Sequence, residues 1–67
     1  MDLPDFYIKV TASNTFRDIP GILDTKHKKL YTFGFAGVNE YNAAEIIETF
    51  DILTENGLKL DIEKILK

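Results

Sequence analysis

The stretch Asn42-Ala43-Ala44-Glu45-Ile46-Ile47-Glu48-Thr49-Phe50-Asp51-Ile52-Leu53-Thr54-Glu55-Asn56-Gly57 decides how the chain is read. Ala43, Ile46, Ile47, Phe50 and Leu53 recur at intervals of three and four, the period that places side chains on one face of an α-helix. Asn42 suits an N-cap, and Glu45 three residues on completes a capping box. Asn56-Gly57 is a stop signal, with glycine free to take the left-handed backbone that ends helices. The spacing predicts a helix over 43–56.

Upstream, the pattern changes from helical to alternating. Residues 5–12 read as a strand behind Pro4, with Phe6, Ile8 and Val10 on one face and Tyr7, Lys9 and Thr11 on the other. Residues 13–21 read as a connection, because Ser13 and Asn14 bond their own backbone and Pro20-Gly21 is a turn dipeptide. Phe16 and Ile19 within it are expected to fold back onto the core. A hairpin follows, with a short arm at 22–24, a turn at 25–28 and a long arm at 29–36. In the long arm Tyr31, Phe33 and Phe35 alternate with Thr32, Gly34 and Ala36. The tail, 58–67, reads as an extended entry followed by a terminal helical turn that Asp61 caps.

These elements assemble into an α+β fold, a three-stranded antiparallel sheet with one helix packed on one face (β-β-β-α) and a short helical or extended C-terminal tail. One domain spans 1–67. Phe6, Ile8 and Val10 are expected under the helix, with Tyr31, Phe33 and Phe35 joining them. Tyr7, Lys9, Thr11, Leu30, Thr32, Gly34 and Ala36 would form the opposite, half-polar face.

Composition narrows the function. Eleven acidic and eight basic residues leave a net charge of −3, and the pI is near 4.9. Proteins that live by neutralising phosphates usually carry a basic patch and a pI above about 9. With no cysteine, there is no disulfide, thiolate metal site or cysteine nucleophile. The start, Met1-Asp2-Leu3-Pro4-Asp5, lacks the basic and apolar regions of a signal peptide. No apolar run approaches the ~18–20 residues of a membrane span. A cytoplasmic setting is expected. A chain of this length, without disulfide or metal staples, depends on aromatic packing or on self-association, so a homodimer is one expected outcome.

Catalytic chemistry is not expected. The one serine and one histidine, Ser13 and His27, both fall in predicted loops, without a third group to orient the imidazole. Asp24 and His27 are the only close pair of metal-ligand types, and a site needs three or four. No cofactor is implied.

Charge and aromatic placement carry more. On a helix over 43–56, Glu45, Glu48, Asp51 and Glu55 form a continuous acidic row opposite the apolar stripe, with no basic residue between them. Ile52 projects from the middle of that row, and two expectations attach to it: cover by the C-terminal tail, or service as an interface anchor ringed by charge. This surface suits docking to a protein with a basic surface, and the leading expectation is a small acidic, non-enzymatic module that modulates another protein, an accessory or inhibitory factor of the kind phages carry. A second expectation uses the aromatic strand. Phe33-Gly34-Phe35, with Lys28 and Lys29 upstream, superficially follows the strand pattern of RNA-recognition domains, so Tyr31, Phe33 and Phe35 could stack on single-stranded bases. Thr32, Ala36 and Gly37 depart from that pattern. A third expectation is a structural subunit of a homo-oligomer, built through a sheet edge or through the flat Thr32/Gly34/Ala36 face.

Overall fold

The computed structural model describes residues 5–34 and 36–66. Pro4, read as a strand start, the Phe35 ring and Lys67 at the tail lie outside those residues. Five strands and two short helices follow one another along the chain: β1 (Tyr7–Ser13), β2 (Asp18–Asp24), β3 (Lys29–Gly34), β4 (Gly37–Asn42), α1 (Ala43–Thr49), β5 (Asp51–Thr54) and α2 (Ile62–Leu66). All pairings are antiparallel, in the order β4-β3-β2-β1-β5. The expected three-stranded sheet with one long helix is therefore corrected to a five-stranded sheet with two short helices.

The largest correction falls on the stretch that decides the reading. Its start forms as expected. The Asn42 side-chain oxygen accepts from Glu45 N–H at 3.0 Å, and the Glu45 carboxylate accepts from Asn42 N–H at 3.3 Å. The helix then stops at Thr49, because Phe50 takes an extended backbone (φ −122°, ψ 149°). Residues 51–54 pair with β1, placing Ile52 opposite Ala12 and Thr54 opposite Val10. Asp51-Ile52-Leu53-Thr54 contains β-branched residues and alternates buried with outward positions, so it satisfies a strand as readily as a helix. Docking onto β1 buries Ile52 and completes a ladder, and this gain outweighs the modest helical preference of a third and fourth turn. Gly57 does take a left-handed backbone (φ +84°), as part of the turn after β5.

Two further segments outside the expected strands are strands. Residues 18–21 extend the second strand backwards, pairing Asp18 through Gly21 with Ser13 through Val10. Pro20 is tolerated there because the β2–β3 ladder begins only at Gly21 opposite Thr32, leaving Pro20 a neighbour on one side. Residues 37–42 form β4 alongside β3.

One face of the sheet carries the helices. Val10, Ala12, Leu23, Leu30 and Ile52 point into it and meet Ile46, Phe50, Ile62 and Leu66 in a single cluster. The Tyr41 and Phe50 rings pack edge to face at 5.0 Å. The third strand is turned over relative to expectation: Leu30 and Thr32 are buried, while Tyr31 and Phe33 lie on the helix-free face, opposite Glu40 and Val38 of β4. The aromatic residues misled the reading because rings weigh heavily as core candidates, whereas Leu30 at the other parity has its own partner, Leu23. Ile19 packs against the core, but Phe16 does not fold back. It is 91% exposed at the tip of a loop whose Asn14 side chain accepts from Phe16 N–H and Arg17 N–H. The tail behaves as read, with Leu60 N–H donating to Ile52 O and α2 starting behind Asp61.

Candidate partner-docking site

The acidic row is not one helical face. Glu45 and Glu48 lie on α1, Asp51 begins β5, and Glu55 sits in the turn beyond it. Successive strand residues point to opposite sides, so Asp51 is exposed and ion-paired with Lys59 at 3.3 Å, while Ile52 is fully buried. Ile52 belongs to the core and is unavailable as an exposed anchor.

The chain nevertheless brings several of these residues to one place. Where α1 passes into β5, and the chain returns at 59–63, a groove of about 410 Å³ opens over Ile47, Phe50, Ile52, Leu60 and Ile62, with Asp51, Lys59, Asp61 and Glu63 at its margin. A second depression of about 300 Å³ shares Ile47, Phe50 and Asp51 with it and continues past Glu48 to Ser13, Asn14 and Thr15. Together they hold an apolar floor under four carboxylates, from Glu48, Asp51, Asp61 and Glu63. Among the described lining residues the single ammonium, that of Lys59, is already engaged by Asp51. Ile47, read from its spacing as core, is 38% exposed because adjacent helical residues point about 100° apart and Ile46 takes the inward position. Asp61 is partly committed, accepting from Lys64 N–H at 3.3 Å to start α2. Glu45 and Glu55 do not line the groove.

Residues 59–63 supply five of the nine described residues lining the larger depression, and nothing in the sequence marks them as site residues. Their only signal was the alternation of Leu58, Leu60 and Ile62, which marks an extended segment and says nothing about which strand it joins.

The alternative residues are placed differently. Tyr31 is partly buried and Phe33 is 44% exposed on the helix-free face. The expected basic partners of those rings are engaged elsewhere. Lys28 Nζ donates to Ile65 O at 3.3 Å, and Lys29 is bonded to Glu40 across β3 and β4. The hydrogen bond and charge of Glu40 hold the Lys29 ammonium above its usual range.

Asp24 and His27 meet in the β2–β3 turn. The Asp24 side chain is 1% exposed and accepts from Lys26 N–H, His27 N–H and the His27 ring at Nδ1, at 3.0, 3.0 and 2.8 Å. Burial pushes its pKa up, but the backbone and ring hydrogen bonds from His27 and the bond from Lys26 N–H outweigh burial and hold it below the ordinary 3.8. The pair serves the turn, and Lys28 closes the same turn with a positive φ of 60°. Among the described residues no group of three or more His, Cys, Asp or Glu converges on a metal-binding geometry.

A pH dependence follows from the Asp24 shift. The unfolded carboxylate takes up its proton at a higher pH than the folded one, so stability from this turn is complete above the unfolded pKa and is lost as pH falls through the folded value. Urea midpoints measured from pH 7 down to about 2 are expected to fall more steeply below pH ~4 for the native chain than for Asp24→Asn. Parallel curves would show that the turn carboxylate is not linked to folding.

Among the described residues no helix is long and apolar enough to cross a membrane. No protein-family model, curated protein or solved structure matches this chain.

Proposed function

We propose that this protein is a small acidic, non-enzymatic docking module that modulates another protein by seating one of its segments in the groove at the α1–β5 junction. The observation that carries this reading is the joining of an apolar groove floor, open to solvent chiefly at Ile47 where the two depressions meet, to a margin of four carboxylates. A complementary segment presents an aliphatic or aromatic side chain to the floor and lysine or arginine to the margin. Apolar burial supplies most of the affinity of such a contact, and charge supplies orientation and association rate.

The test is fluorescence anisotropy with a labelled amphipathic peptide of leucine and lysine, set against the same composition with acidic residues replacing the lysines. Glu48→Lys combined with Glu63→Lys is expected to weaken the basic peptide about tenfold, since each exposed pair contributes up to ~1 kcal/mol. Ile47→Ser, which changes no charge, is expected to weaken it too. A loss with the charge variant and none with Ile47→Ser would reduce the interaction to nonspecific attraction and sink the groove.

One observation favours a second reading, single-stranded nucleic-acid binding. Phe33, exposed, and Tyr31, partly buried, lie on the face that no helix covers among the described residues, and the Phe33 ring is the one open to a stacked base. Running the same titration with single-stranded RNA tests it, because loss of a stacked ring costs ~1–3 kcal/mol per base and Phe33→Ala would register it.

A further inference from the structure

The two edges of the sheet are finished in different ways. Beyond β5 the chain's own tail closes the ladder: Thr54 N–H donates to Leu58 O, Leu60 N–H donates to Ile52 O, and Leu53 bridges Lys59. Beyond β4, among the described residues, nothing pairs. Five of its six residues are exposed, and it carries neither the proline nor the lysine with which proteins commonly blunt an open edge. Its helix-free side presents Val38, 63% exposed, directly opposite Phe33, 44% exposed.

We propose that the β4 edge is the seam of a two-fold homodimer, in which β4 pairs antiparallel with β4 of a second copy and Val38 lies on the axis. Charge placement favours a second copy as the occupant. Glu40, the one charged residue of β4, is already matched by Lys29 of its own chain. The acidic groove lies at the β5 end of the sheet, four strand spacings away. At ~4.8 Å per spacing that is roughly twice the Debye length of ~8 Å at physiological salt, so the negative ends of two copies do not oppose one another across the seam.

Register follows from the side chains. Keeping each face of the sheet continuous allows only alternate registers, because a shift by one residue turns every side chain to the other face. With Val38 on the axis, Val38 meets Val38 of the partner subunit, and each continues into its own Phe33, giving an apolar row of four side chains. Gly37 then lies opposite Asn39 of the partner subunit, and Ala36 opposite the partner's Glu40. Placing Asn39 on the axis would set Val38 against a carboxylate, and placing Glu40 there would set like charges face to face. An isologous interface of this kind is closed by its symmetry and stops at two. It uses the edge farthest from the groove and stands or falls independently of the docking reading.

Sedimentation equilibrium of the full chain over a range of concentrations tests the seam. The expected result is reversible association to twice the 7.7 kDa chain mass, abolished by Val38→Lys with an unchanged circular dichroism spectrum. Because the chain has no cysteine, Val38→Cys reports register directly. Residues directly opposite bring their Cβ atoms to about 4.5–5.5 Å, so mild oxidation is expected to cross-link Val38→Cys and to leave Glu40→Cys uncross-linked. A mass of one chain at every concentration overturns the proposal. So does a dimer that survives Val38→Lys, or cross-linking of Glu40→Cys in preference to Val38→Cys.

Discussion

Truncation of Ile52 to alanine is expected to lower the unfolding free energy by about 2–5 kcal/mol, the range for removing a buried isoleucine and leaving a partly collapsed cavity. Ile52 is fully buried, opposite Ala12 on β1, and its carbonyl accepts from Leu60 N–H at 2.8 Å. The residue therefore joins three segments: β1, β5 and the returning tail. Ile52→Val removes one methylene and is expected to cost about 0.5–1.5 kcal/mol, so the pair should scale with the volume lost. Urea denaturation followed by far-ultraviolet circular dichroism measures both. A change below ~0.5 kcal/mol for the alanine variant is the value for an exposed position, and would mean that residues 51–54 do not dock on β1. The same experiment separates two accounts of one stretch of sequence, because an outward-pointing isoleucine on a long helix would tolerate the truncation.

The second large effect is expected at Gly21, in the middle of the sheet. A Cβ added there would sit 2.7 Å from Tyr31 O and 3.6 Å from Thr32 Cα, both backbone atoms of the neighbouring β3. Strands cannot yield as a flexible side chain would, so Gly21→Ala must push β2 and β3 apart where Leu23 and Leu30 pair inside the core. Overpacking of this kind costs about 1–3 kcal/mol and occasionally more. Gly34→Ala is the control. A Cβ at Gly34 meets only Asn39 Nδ2 at 3.8 Å and Gly37 O at 4.0 Å, so the substitution should be neutral or stabilising by up to ~1 kcal/mol through loss of freedom in the unfolded chain. Equal urea midpoints for the two variants would contradict the close approach of β2 and β3. Gly21 also corrects the reading of Pro20-Gly21 as a turn: here the glycine is required for proximity inside a sheet, and its φ is not among the positive values.

The local features that could be read from the chain are those that a few neighbouring residues complete among themselves. The capping box at Asn42 and Glu45 is one, and the helical turn behind Asp61 is another. The alternation in 5–12 and in 29–36 points to two strands, which form over Tyr7–Ser13 and Lys29–Gly34. Sequence alone does not decide between two local structures that suit the same residues. Phe50 through Thr54 continue a helical stripe and also alternate as a strand, and only β1 with Ala12 and Val10 on its inner face tips the balance. The inner face of β3 was similarly undecided, since Tyr31 and Phe33 at one parity and Leu30 at the other are all credible core residues.

The candidate site shows the same division. Glu48 and Asp51 were singled out for their charge, and they do border the groove. Ile47, a core position by its spacing, is exposed, whereas Ile52, expected either under the tail or as a surface anchor, is buried, with the tail bonded to its carbonyl. Leu60, Asp61 and Glu63 reach the groove because the tail bends back along β5, a contact between segments that no periodicity within either one encodes.

Read alone, the residues settled the charge, the lack of thiol chemistry, the helix start at Asn42 and the parity of β1. Folding decided the rest: where that helix ends, which way β3 faces, and which edge of the sheet stays open. Caps and turns are closed by atoms a few bonds apart, so composition suffices to specify them. Helix length, strand parity and edge closure depend on which distant segment supplies the buried surface and the hydrogen bonds, and that partner exists only once the chain has folded.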